Sequence, residues 1–88
     1  MEVFSFLKHL NLYNGASIYG NSGELTIDFN NRKVVRILKN KEDFLEVLFA
    51  PDNEQLFLVN KESDMKECCQ SLNQRLIERN YPPLFRYR

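Results

Sequence analysis

Few side chains in this sequence have the chemistry of a catalyst, and their spacing limits what they can do. There is one histidine, His9, and there are two cysteines, the adjacent Cys68 and Cys69. A thiol nucleophile needs a base beside it and a third group to orient that base. His9 is remote in sequence from both thiols, which fall mid-helix, where nothing signals the lowered pKa of a reactive cysteine. Two neighbouring cysteines and one histidine match no usual zinc spacing. Gly20-Asn21-Ser22-Gly23 lacks the lysine and the following helix of a phosphate loop and reads as a turn. Asp52 and Glu54, just after Pro51, have no marked partner and read as loop. The expectation is a non-enzymatic chain with no cofactor and no metal.

Two stretches instead have the composition of binding surfaces. Arg32, Lys33, Arg36, Lys39 and Lys41 are five cations in ten residues with no acid among them. They suit either an edge strand protected by charge or a patch for an acidic partner. The C-terminal Tyr81, Pro82, Pro83, Leu84, Phe85, Arg86, Tyr87 and Arg88 carry aromatics and arginines that are costly to leave in water. This tail, 81–88, either packs back on the core or offers Tyr81, Phe85, Arg86, Tyr87 and Arg88 to a partner, tyrosine and arginine being enriched at binding hot spots. Stacking of bases on Phe85 or Tyr87 is the nucleic-acid version.

Charge and composition narrow the classes. The 88 residues make one domain, 1–88, of which 43% are apolar, with seven Phe and four Tyr to build a core. The twelve basic and twelve acidic side chains cancel, which argues against a dedicated nucleic-acid binder. The signs are nevertheless segregated: −2 over 1–31, +5 over 32–41, −6 over 42–67 and +3 over 68–88. No apolar run approaches the roughly 18 residues of a membrane span, and the N-terminal run, interrupted by Lys8 and His9, does not read as a signal peptide. Adjacent cysteines are poor geometry for a disulfide and point to a reducing, cytoplasmic compartment.

The elements follow from periodicity. In 24–38, Leu25, Ile27 and Phe29 alternate with polar residues, Asn30 and Asn31 break the run, and a β-branched segment begins at Val34, predicting a hairpin. A three-residue loop, 30–32, sets Ile27 against Val35 and Leu25 against Ile37. A two-residue loop would bring Arg36 opposite Leu25. Val3, Phe6, Leu7 and Leu10 predict a helix over 2–13 stopped by Asn14-Gly15, with a hairpin of 10–13 and 16–19 around Asn-Gly as the alternative. Asn40, Glu42 and Asp43 ahead of Phe44, Leu45, Leu48 and Phe49 predict a second helix ending before Pro51. LFLV within 55–60 predicts a buried strand placed inside the sheet. Ser63 predicts the N-cap of a last helix with Met65, Cys68 or Cys69, Leu72, Leu76 and Ile77 inward, closed by Arg79, Asn80 and the prolines.

The expected fold is thus a small α+β domain in the order α-β-β-β-α-β-α, a mainly antiparallel sheet packed by helices. The leading functional expectation is a small protein-binding module: an inhibitor, immunity factor or regulatory adaptor that occludes a partner, a profile shared by inhibitors from phages and other mobile elements. The alternative is a single-strand nucleic-acid binder using 32–41 and the aromatic tail. Val34 and Leu38 on the second face of the hairpin leave room for a homodimer.

Overall fold

The computed structural model describes residues 2–21 and 23–88; Ser22 of the expected glycine turn lies outside them. A 3-10 turn, Val3–Ser5, runs into a single turn of helix, α1 (Phe6–His9). Strands β1 (Leu10–Leu12), β2 (Ser17–Asn21), β3 (Glu24–Phe29), β4 (Arg32–Lys39), β5 (Leu45–Phe49) and β6 (Glu54–Val59) follow. A second 3-10 turn, Glu62–Asp64, leads into α2 (Met65–Glu78), and β7 (Phe85–Tyr87) ends the chain. The class is α+β, built on a five-stranded antiparallel meander, β2-β3-β4-β5-β6, with β1 and β7 paired beside it.

The central hairpin has the expected hydrophobic register, reached by an unexpected route. Ile27 opposes Val35 and Leu25 opposes Ile37, yet Phe29 opposes Arg32, so the loop is only Asn30-Asn31. Both asparagines take positive φ, 52° and 62°, the twist a two-residue hairpin needs and that asparagine tolerates. A bulge at Val34 absorbs the extra residue. Val34 and Val35 are consequently both fully buried in the core. A second bulge, at Leu56 between the pairs Val47–Phe57 and Leu48–Gln55, likewise brings Leu56 inside.

Three expectations need correction. The helix over 41–49 is absent, because Leu45, Val47 and Phe49 alternate and are buried as the inward face of β5. The Asn40 carboxamide does cap, accepting from the N–H groups of Glu42 (2.9 Å) and Phe44 (3.0 Å), but it closes the β4–β5 turn, with Asp43 at φ 65°. The helix over 2–13 stops at His9, since β1 is drawn into pairing with β7 rather than with β2. Asn14 and Gly15, with φ of 59° and 83°, then redirect the chain. Strand β6 is an edge, not an interior strand.

The last helix forms where its apolar spacing placed it. Met65, Cys68, Cys69, Leu72 and Leu76 are buried, whereas Ile77 is 56% exposed. Asp64 caps backward, its Oδ2 accepting from Asn60 (3.1 Å) and Lys61 (3.2 Å). At the far end Asn80 adopts φ 66°, and the N–H of Tyr81 reaches the Leu76 carbonyl at 2.9 Å, a Schellman closure.

The tail docks. Phe85 is 1% exposed and meets the Phe6 ring edge-on at 6.0 Å. Asn73 of α2 holds it by accepting from the N–H groups of Leu84 (3.1 Å) and Phe85 (3.0 Å) and donating to the Phe85 carbonyl (2.8 Å). Asn73→Ala strips three partners from part-buried backbone groups and is expected to lower unfolding free energy by about 2–3 kcal/mol in urea titration. An unchanged midpoint would show that the tail is not held by this clamp.

Candidate functional site

A strand alternates its side chains, so the sheet has an inward and an outward face. Leu25, Ile27, Val35, Ile37, Leu45, Val47, Phe49 and Val59 share one face and form the core with α2, Val3, Phe6 and the tail. The outward face is read from the register. One cross-strand row is Tyr19, Thr26, Arg36, Leu48 and Gln55, and the next contains Glu24, Leu38, Glu46 and Leu58. Leu38, Leu48 and Leu58 are half-buried and belong neither to the core nor to the side chains packed against it. Tyr19 is 41% exposed.

The charged centre of this face is Arg36. Its guanidinium grips Glu24 through both carboxylate oxygens, Nε to Oε1 and Nη2 to Oε2 at 3.1 Å, and Nη1 donates to Asn53 Oδ1 at 2.7 Å. The hydrogen bond from Arg36 holds the Glu24 carboxyl below its ordinary range against the opposing effect of burial, and the same bond raises Arg36. Thr26, only 5% exposed, lies beneath. Around this pair Tyr19, Lys33, Ala50 and Pro51 complete a cleft of about 510 Å³.

The five cations of 32–41 do not form one patch. Lys33 and Arg36 share the outward cleft. Arg32, opposite Phe29, joins Asn30, Asn80 and Tyr81 around a second hollow of about 350 Å³. Lys39 is taken up by Glu2 (2.9 Å) and Asp43 (3.5 Å); its hydrogen bond to Glu2 raises Lys39 and lowers Glu2. Lys41 stands exposed in the β4–β5 turn. Among the described residues Arg32, Lys33 and Lys41 make no ion pair.

Nor is the tail a free aromatic arm. Phe85 as a partner-binding residue is corrected by its burial: its ring cannot reach a base or a partner while the tail is docked. Tyr81 is half-buried, edge-on to Phe29 (6.1 Å) and Phe49 (5.9 Å). Arg86 lies over the Tyr13 ring at 4.9 Å. The backbone N–H of Arg88 donates to the His9 carbonyl (2.8 Å). Tyr87, at 44% exposure, remains an accessible aromatic.

The titratable groups with nucleophilic chemistry are poorly placed for it. Burial, then the neighbouring Cys69, Asp64 and Glu67, push the Cys68 thiol up to about 12. Burial also raises Cys69. His9 Nε2 is buried without a hydrogen-bond partner, 4.0 Å from Glu62 Oε2. No cluster of three or more His, Cys, Asp or Glu suited to a metal ion occurs among the described residues, and no helix there is long and apolar enough to cross a membrane.

Leu38 falls on the second face as expected, but Val34, expected beside it, is drawn into the core by the bulge. Leu48 and Leu58 were missed because each sits in a mixed segment, and only the register collects them on this face. The Glu24–Arg36 pair has a pH signature. Because Glu24 titrates lower in the folded chain than when unfolded, its contribution is present above the unfolded carboxylate range, near 4.5, and is lost as pH falls through the lower folded value. Glu24→Gln should therefore flatten the acid limb of stability in urea titrations between about pH 5 and 2; an acid limb identical to that of the parent would contradict the coupling. Comparison with family models, with curated proteins and with solved structures returns no match.

Proposed function

We propose that the chain is a non-enzymatic protein-binding module, an inhibitor, immunity factor or regulatory adaptor that occludes its partner with the outward face of the sheet. The observation that carries this reading is the set Leu38, Leu48, Leu58 and Tyr19, apolar side chains left outside the core on one face of the sheet. Half-buried leucines in adjacent rows give a contact area that excludes water, with Arg36 and Glu24 locked as a polar pair among them. Lys33, charged and without an ion partner among the described residues, biases approach toward an acidic surface. Two free, buried thiols suit a reducing compartment, supporting action in the cytoplasm.

The basic strand and aromatic tail support nucleic-acid binding less well, because strand alternation scatters the cations and Phe85 is inside. Affinity purification from the native cell, run in parallel with Leu48→Glu and Lys33→Glu, tests the reading. Leu48→Glu should abolish capture of the partner while far-UV circular dichroism shows the variant still folded. Lys33→Glu should slow association several-fold at low salt, roughly the scale of a single rim charge. A partner retained at full affinity by Leu48→Glu would remove the outward face from the account.

A further inference from the structure

The two edges of the five-stranded sheet are treated differently by the sequence. At β6, α2 lies alongside: Arg79 and Arg75 reach Glu54 at 2.9 and 3.9 Å, and the bulge at Leu56 interrupts the strand. At β2 the charges, proline and bulge that blunt a sheet edge are lacking among the described residues. Residues 10–23 contain no charged side chain and no proline, and alternate residues of β2 direct their N–H and C=O groups away from β3. Apolar surface flanks this edge on both sides. Tyr19 is 41% exposed on the outward face, while on the inward face the Phe4 ring lies over Gly20 and is itself 56% exposed. A Cβ at Gly20 would come within 3.1 Å of that ring, so glycine there is what admits Phe4.

We propose that the chain self-associates through β2, the strands of two copies pairing antiparallel about a two-fold axis at Tyr19. Tyr19 is the middle of the five-residue strand Ser17–Asn21, so this register uses its whole length and places Tyr19 against Tyr19 of the second copy. Gly20 then opposes Ile18 of the second copy, and the Phe4 ring above Gly20 extends onto that isoleucine. The occupant is a second copy because the strand is compatible with itself: an uncharged, isologous edge meets no like charge across the axis, and the two aromatic flanks are covered in a closed dimer. The five-stranded sheets join into one of ten strands. This inference shares Tyr19 with the occlusion reading but uses neither Leu38, Leu48 nor Leu58, so Leu48→Glu separates the two.

Sedimentation velocity of the full chain across a concentration series tests it, with far-UV circular dichroism confirming that each variant is folded. The parent should run as a dimer that dissociates on dilution. Tyr19→Lys, which sets two like charges opposite one another at the axis, should weaken self-association by about tenfold or more, and Phe4→Ser should weaken it too. Leu48→Glu, on the outward face, should leave it intact. Tyr19→Cys should give a disulfide-linked dimer under mild oxidation that the parent, with both thiols buried, does not. A parent that is monomeric at every concentration would overturn the proposal. So would a dimer untouched by Tyr19→Lys, one abolished by Leu48→Glu, or open-ended assembly in place of a dimer.

Discussion

A sheet has two faces, and among the described residues α2 is the one helix of any length. Fourteen residues of α2, helped by the N-terminal turn and the docked tail, cover one side of a five-stranded meander and no more. Burial of apolar area is the dominant favourable term at this size, and it is concentrated on that side, where Ile27, Val35, Ile37, Leu45, Val47, Leu72 and Leu76 are all removed from water. The other side must be compatible with solvent and is only partly so. It carries a locked Arg36–Glu24 pair over Thr26, which suits water, and three leucines, which do not.

The N- and C-terminal segments complete the covered side together. Strand β1 supplies the edge on which β7 forms, Phe6 and Phe85 share one contact, and Asn73 ties the tail to α2. Neither terminal segment would bury its aromatics without the other, so the N-terminal turn, α2 and the last residues are expected to form one cooperative unit. That coupling explains why Leu84 and Phe85 of the tail are inside the fold while Arg86, Tyr87 and Arg88 stay exposed.

Much of this was legible in the residues. Alternation in 24–38 marked the hairpin and the rows that pair, and the spacing of Met65, Leu72 and Leu76 marked α2 and its inward stripe. What local pattern could not carry was set by pairing partners distant in sequence. Each hairpin loop weighed was half right, because the hydrophobic register and the Asn30-Asn31 turn are reconciled by a bulge that only the packing of Val34 requires. The segment 41–49 has helical spacing at Phe44, Leu45, Leu48 and Phe49, and Asn40 caps a turn as readily as a helix; the adjacent β4 decided for a strand. The basic run looked like a patch in one dimension. Alternation separates its members, and Glu2 and Glu24, remote in sequence, neutralise two of them.

The central claim is physical: Leu38, Leu48 and Leu58 stand on a sheet face that the chain itself does not cover. Methyl relaxation by a soluble paramagnetic chelate reads this directly for each leucine. Strong relaxation at Leu38, Leu48 and Leu58, with Leu25, Leu45 and Leu72 protected, is the expected outcome. Protection of Leu48 and Leu58 equal to that of Leu45 in the monomer would mean that the face is closed, and the binding surface built on it would not exist.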